Sequence, residues 1–434
     1  MRSRGWLAAS LGVLASLGGC KCGDQPVAGG ADAAPSSSAS SSSAPVGTLP
    51  LSLPFAASRG PDGDVYVAGL VASRNVIGVA RFDKKGTMSW SADALTDVAW
   101  TPDAEVRVLA AEAGLTVSWR GTRSNALVRL LVAIDKSGKI IGDPQPIGVG
   151  ACATDDAVVW PESRDGGASD IMRRPFAWTP AVSIGSVTRD LDPLLACGSH
   201  RVFVLEEGDE DVGLSVMPAD KDVKGPAPLI AASPNDGDDE REHDEFTVGD
   251  GLGVVRATTR GKLMLREATP NLSGWRSFSK PLAEDDDVVA VDGDATWAYV
   301  VITRDAIDRC DAGGTATDIR LVRAKRGAGK EAKDEDLLLA NEPCGLDVGA
   351  FWTGSIGARF VVAWTELAPR VGGAPPIGGF AYRIVGEPDV KHVAQPADGM
   401  SFAGCDDVAC YAVALARTDT DAMAPGVARV VSFP

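Results

Sequence analysis

The stretch Val288-Val289-Ala290-Val291-Asp292-Gly293-Asp294-Ala295-Thr296-Trp297-Ala298-Tyr299-Val300-Val301-Ile302-Thr303 holds two apolar runs on either side of a tight turn. The second run is rich in β-branched and aromatic residues, which suit a pleated surface. Asp and Gly in the turn tolerate the backbone angles that a sharp reversal needs. After a loop, Ile319-Arg320-Leu321-Val322-Arg323 alternates apolar and charged residues, the period of a strand with one buried face. The three runs describe an antiparallel meander.

The same pattern recurs along the chain. Its most β-prone, central runs are Asp64–Gly69, Glu105–Ala110, Ala157–Trp160, Arg201–Glu206, Leu252–Ala257, Trp297–Thr303, Phe360–Thr365 and Ala409–Leu415. They are spaced by roughly 40 to 63 residues, the range of propeller blades and far from a helical solenoid. Each is preceded by a short run of small residues, such as Ala151-Cys152-Ala153 or Leu195-Ala196-Cys197, fit for a crowded axis. No stretch sustains a 3.6-residue period with caps, so almost no helix is expected beyond the N-terminal segment. The expected fold is all-β, a propeller of eight blades. Seven is the alternative, because Ala104–Ile141 is irregular and carries an extra apolar run at Leu115–Trp119. The lone β-capable segment Gly47–Leu53 is expected to join the last blade as its outer strand and close the ring.

Two stretches carry a family resemblance. Val158–Gly166 and Val361–Glu366 resemble the central strand of secreted bacterial β-propeller repeats, and Arg81–Trp90 is similar to the quinoprotein-type repeat. The resemblance implies fold and transfers no catalytic residue. It also admits an outer-membrane assembly partner, since the barrel-assembly machinery uses a lipoprotein propeller.

Residues 1–19 read as a processing segment: Arg2 and Arg4 are followed by the apolar run Trp6–Leu17. That run is too short to span a bilayer. Leu17-Gly18-Gly19-Cys20 resembles a bacterial lipobox. The resemblance implies that Cys20 becomes the lipidated N-terminus, with palmitate among its acyl chains, and each buried CH₂ contributes ~0.8 kcal/mol to anchoring. By analogy with the sorting rules of Gram-negative lipoproteins, Lys21 after the cysteine implies the outer membrane. Residues 20–46 form the lipidated start and a tether, because Ala33–Pro45 is Ala, Ser and Pro without apolar periodicity. Such a tether spans about 28 Å. Residues 47–434 form the propeller.

Net charge is −17, with no Lys/Arg stripe, so nucleic acid is not an expected partner. Eight cysteines in an exported chain point to disulfides. Cys20 is taken by lipid and Cys22 lies in the tether. The remaining six allow fifteen connectivities, and repeat register narrows them. Cys405 and Cys410 flank one turn, Cys152 and Cys197 are equivalent in neighbouring repeats, and Cys310 and Cys344 lie one strand pair apart. The expected pairs are Cys152–Cys197, Cys310–Cys344 and Cys405–Cys410.

No metal or cofactor is expected. Asn235–Glu245 has oxygen ligands enough for calcium but lacks the spacing of a calcium loop, and reads as a solvated connection between blades, like the shorter Asp285-Asp286-Asp287. His200, His243 and His392 are in no metal-type spacing. Glu112, Glu162, Glu206 and Glu366 close central strands, where polar residues end a ladder; as a converging pair they would suit glycoside cleavage. The tryptophans read as blade packing. No catalytic residue is assigned. The expected role is a non-enzymatic binding or scaffold module at the cell envelope, taking an envelope protein or glycan. The alternative is a surface enzyme acting on polysaccharide or peptidoglycan. The large excursions, Ser163–Asp170, Pro234–Asp244, Asp305–Thr317 and Leu367–Gly379, collect on the rim of second-to-third-strand and blade-to-blade connections, so recognition is expected there.

Replacing Cys20 with Ser is expected to leave the chain unprocessed or to release it from the membrane fraction. Fractionation with intact mass measurement checks this, and an unlipidated, equally membrane-bound wild type would refute it.

Overall fold

The computed structural model describes residues 49–112, 114–124, 126–147, 151–164, 168–176, 179–187, 194–207, 212–218, 227–228, 240–248, 251–258, 261–268, 276–278, 281–306, 310, 316–327, 333–367, 378–393, 399–416 and 425–434. The N-terminal segment, Cys20 and the tether lie outside them, as do most of the long excursions.

The strands pair antiparallel in consecutive meanders, numbered here in chain order. Unit 1 is Pro50–Arg59, Val65–Val71, Val76–Phe82 and Met88–Thr96. Unit 2 is Val98–Ala99 with Glu105–Ala111, then Gly114–Arg123, Ala126–Asp135 and Ile140–Pro146. Unit 3 is Cys152–Ala153, Ala157–Ser163, Ser169–Pro175 and Val182–Val187, and unit 4 is Leu194–Cys197, Arg201–Glu207, Val212–Pro218 and Ala227–Pro228. Unit 5 is Glu240–Val248, Gly251–Thr258, Leu263–Ala268 and Arg276–Ser277. Unit 6 is Asp286–Gly293, Trp297–Ala306, Ala316–Lys325 and Glu335–Glu342. Unit 7 is Asp347–Ile356, Arg359–Leu367, Gly378–Ile384 and Lys391–Val393. The last is Met400–Cys405, Cys410–Ala416 and Gly426–Phe433, unit 8.

Among the described residues, shared cores join neighbouring units at every junction but that of units 4 and 5. Alternate residues of a strand point to opposite faces, so one central strand feeds two cores. Tyr66, Ala68 and Leu70 pack toward Val117 and Trp119 of unit 2, while Val65 and Val67 pack toward Val413 and Leu415 of unit 8. Likewise Ala298 and Val300 join Phe246 and Leu265 of unit 5, and Tyr299 and Val301 join Phe360 and Trp364 of unit 7. Further shared cores join units 2 and 3, 3 and 4, and 7 and 8. The ring is sealed where Pro50 and Leu51 pair with Val427 and Gly426, before the same strand continues from Ser52 against Val65–Val71. This is a β-propeller. Turns joining first to second and third to fourth strands share one rim, the turn rim. Second-to-third connections and unit-to-unit links share the other, the linker rim.

The cysteine sulfurs lie at bonding distance in three pairs: Cys152–Cys197 at 2.10 Å, Cys310–Cys344 at 2.06 Å and Cys405–Cys410 at 1.93 Å. The first joins the first strands of units 3 and 4. The second ties the second-to-third connection of unit 6 to its link with unit 7, and the third closes one hairpin of unit 8.

Two sequence expectations are corrected. Glu105–Ala110 is not a central strand; it pairs with Arg120–Leu115 as part of the first strand of unit 2, and the supposed extra run Leu115–Trp119 is the centre. Gly114, at φ 156°, lets the chain reverse where any side chain would strike the Ile134 carbonyl oxygen. Two adjacent β-prone runs had no marker saying which was central. The closure expected of Gly47–Leu53 is met in its described part: Pro50 and Leu51 are the outer strand of unit 8, and the same strand runs on to Arg59 as the first strand of unit 1. Second, the acidic run is not a loop from Glu240 onward: Glu240–Val248 is the first strand of unit 5, and 235–239 lie outside the described residues. In the shorter acidic run Asp286 is buried, taking Arg304 Nε at 2.6 Å and Nη2 at 2.9 Å. Charge density marked these segments as solvated, but burial of a charge is tolerated once it is paired.

Trp119 is fully buried between units 1 and 2. Trp119→Ala is expected to cost ~3–5 kcal/mol. Exposed Arg107 on the first strand should tolerate alanine. Urea unfolding checks both; equal, small losses would refute the assignment of the central strand.

Candidate functional site

The junction of units 6 and 7 carries a candidate site at each rim. On the turn rim a cleft of about 410 Å³ opens between the first-to-second turns of the two units. Its floor is Tyr299 stacked on Phe360, ring centroids 3.6 Å apart. Its wall is Trp297, with the Arg323 guanidinium 4.5 Å from the ring centroid. Asp294 and Ser355 supply polar edges.

The turn of unit 6 is built by Asp294. One carboxylate oxygen accepts from the backbone N–H groups of Thr296 (2.6 Å) and Trp297 (2.8 Å), and the other from the Tyr299 hydroxyl (2.6 Å). Burial, then the bond to Asp294, push the Tyr299 hydroxyl well above the usual tyrosine range. Arg323 bonds Glu335 (2.9 Å), so its stack on Trp297 is held from behind. Asp292 beneath is raised by burial, though the Gly293 N–H and Thr353 hydroxyl oppose the shift.

The device recurs. Asp406 accepts from Val408 N–H, Ala409 N–H and the Tyr411 hydroxyl, and Asp62 from Asp64 N–H and the Tyr66 hydroxyl. Three of the four tyrosines in the chain serve it. The signal was legible as Asp four or five residues ahead of Tyr at a strand start, and sequence reasoning missed it because only the turn chemistry was noted.

On the linker rim, Glu366 meets His392 Nδ1 at 3.0 Å and lies near Glu342, which ends unit 6. Glu342 is buried, and its oxygen accepts from the Trp364 indole at 3.2 Å. Burial raises the Glu342 carboxyl above its ordinary value and Glu366 adds to the rise, while His392 and the indole act against it. Two carboxylates in unlike settings beside an imidazole are the elements of acid–base chemistry.

Of the strand-closing acids, only Glu366 enters such a group. Glu112 and Glu162 are exposed and apart from it, and the Glu206 side chain lies outside the described residues. Glu342 had no sequence signal, since it lies on an outer strand of the preceding unit. His200 is exposed, and the His243 side chain is outside the described residues. Among the described residues no group of three or more His, Cys, Asp or Glu side chains is arranged to hold a metal ion.

No family model matches the chain. No curated protein matches it. Among solved structures it resembles the WD40 domain of SCAP from fission yeast, at 8% identity and TM-score 0.49, over 89% of this chain and 96% of that one. It also resembles the β-propeller domain of the Trilobed protease from Pyrococcus furiosus, at 8% identity and TM-score 0.44, over 77% and 94%. Puromycin hydrolase matches at 11% identity and TM-score 0.40, over 74% of this chain and 51% of its own length. These are likenesses of fold.

Because the Glu342 value is raised, folding disfavours its ionised form. The stability tied to this group is complete below the ordinary glutamate range and is lost as pH rises through the raised value. Glu342→Gln is therefore expected to gain stability over wild type at pH 8 but not at pH 4, read from urea midpoints. The same difference at both pH values would refute it.

Proposed function

We propose that this chain is an exported lipoprotein, held to the membrane through Cys20, whose eight-bladed propeller works as a non-enzymatic binding module at the cell envelope. Counting each meander as a blade gives the eight. The observation that supports binding over catalysis is the state of the polar groups in the unit 6–7 cleft. The Asp294 carboxylate already takes three hydrogen bonds and Arg323 is both ion-paired and stacked. Groups so occupied are poor acids, bases or nucleophiles, but they hold an aromatic surface rigid, which lowers the entropy cost of binding. The cleft volume also falls within the usual range for ligand sites.

The second reading is an enzyme acting on envelope polysaccharide or peptidoglycan. The raised Glu342 beside Glu366 and His392 favours it.

The two readings separate by mutation. Trp297→Ala with Arg323→Ala is expected to reduce capture of the partner by the membrane-extracted protein about tenfold or more, in keeping with loss of an aromatic anchor. Glu342→Gln and Glu366→Gln should leave capture unchanged. Release of soluble fragments from peptidoglycan or polysaccharide by wild type, abolished in the two glutamine variants, would instead establish the enzyme.

A further inference from the structure

Unit 2 departs from the other units on the linker rim. After Val98–Ala99 its first strand leaves the ladder, turns with Ala104 N–H donating to the Thr101 carbonyl at 2.9 Å, and rejoins at Glu105. Trp100 opens this excursion and is 47% exposed, whereas Trp119, Trp160 and Trp364 are fully buried. On the third strand of the same sheet Leu127 is 71% exposed. The register Ala99↔Thr122↔Leu127 puts it at the same end of the sheet, two strand spacings across, roughly 10 Å.

Single exposed apolar residues need no explanation, but the backbone under this pair is specially shaped. Asp97 and Ser124 are both left-handed without being glycine, at φ 60° and 48°. They face each other, Ser124 N–H donating to the Asp97 carbonyl at 2.9 Å, and Arg123 Nε donates to the Thr96 carbonyl at 3.3 Å. Strain of this kind persists only where the surroundings enforce it.

What covers the pair follows from where the chain leaves the ring. The first strand of unit 1 starts at Pro50 on the linker rim, paired there with Val427 of unit 8, so the described chain enters the ring from that rim. This step rests on the proposed lipidation of Cys20. A tether of the composition and length read from the sequence at 23–46 has a typical end-to-end distance of about 28 Å, comparable with the radius of gyration of about 21 Å of a folded body this size. Attached at the linker rim, such a leash brings that rim nearest the bilayer. We propose that Trp100 and Leu127 form a membrane-contact pair that seats unit 2 in the interfacial layer. Indole suits that layer because its apolar ring buries while its N–H stays at headgroup level. With a net charge of −17 the contact is apolar, not a response to anionic lipid.

The test uses the lipidated full chain in phosphatidylcholine vesicles whose acyl chains carry bromine, a short-range quencher of indole. Wild type should be quenched, Trp100→Phe should lose most of the quench, and Trp297→Phe should keep it. Added anionic lipid should not increase it. Leu127→Ser should reduce the quench at Trp100. A vesicle-bound chain whose quench ignores Trp100 overturns the proposal, as does a photo-reactive residue at position 100 that crosslinks to protein instead of lipid. Failure of the chain to float with vesicles, without an acyl mass on Cys20, defeats the anchor itself and is read separately.

Discussion

Burial of both faces of every central strand is the constraint on which the structure depends. A four-stranded meander has two apolar faces and can cover neither alone. Stacked in a ring, each face finds the next unit, and one strand serves two cores through simple alternation. Trp364 illustrates the result: it points from unit 7 into unit 6 and is wholly buried, while its neighbours Ala363 and Val361 point into unit 8. At roughly 25 cal/mol per Å² of apolar surface removed from water, two-sided burial is what lets short strands with few ladder bonds hold together.

The same constraint makes closure decisive, because an open ring would leave two faces and two edges bare. The strand Pro50–Arg59 meets it at both ends. At the linker rim its first residues pair with Gly426 and Val427. At the turn rim Arg59 reaches Asp406 at 3.0 Å and the Cys405 carbonyl at 3.3 Å, with Lys84 joining Asp406 at 3.2 Å. Burial alone would raise the Asp406 carboxyl; the Ala409 and Val408 amides, Lys84 and Arg59 outweigh it and hold it well below the usual carboxylate range. Closure is thus a backbone seam on one rim and an ionic clasp on the other.

Two-sided burial also explains what could be read from the sequence. Central strands such as Trp297–Thr303 and Phe360–Thr365 stand out as near-continuous apolar runs because both faces are covered, and their spacing exposes the repeat. Reading failed where a local pattern had two solutions. Glu105–Ala110 and Leu115–Trp119 are equally β-prone, and only the ladder tells first strand from second. Glu240–Glu245 resembles a loop by charge, although the backbone pairs along it. The candidate sites were less legible than the fold. Glu342 and Glu366 come from different units, and an outer-strand residue carries no periodic mark that it will meet the next blade. The Asp–Tyr device was visible, but its spacing varies by one residue between Asp62–Tyr66 and Asp294–Tyr299.

The two rims differ in how their side chains are held, and this follows from chain geometry. A first-to-second turn is short, so an aspartate there can satisfy its own turn amides and reach the tyrosine that opens the next strand. Asp62, Asp294 and Asp406 do so, and each fixes an aromatic ring at the junction with a neighbouring unit. The linker rim joins whole units as well as strands, and its polar groups find partners across strands and units as well as within their own links: His392 finds Glu366, Glu342 finds Trp364, and Asp286 takes both Arg304 and the Ala283 N–H. A group whose partners lie on different strands responds to any shift between them, whereas the turn amides move with the aspartate that they bond. The turn rim is therefore suited to present a fixed surface, and the linker rim to register displacement of one unit against the next.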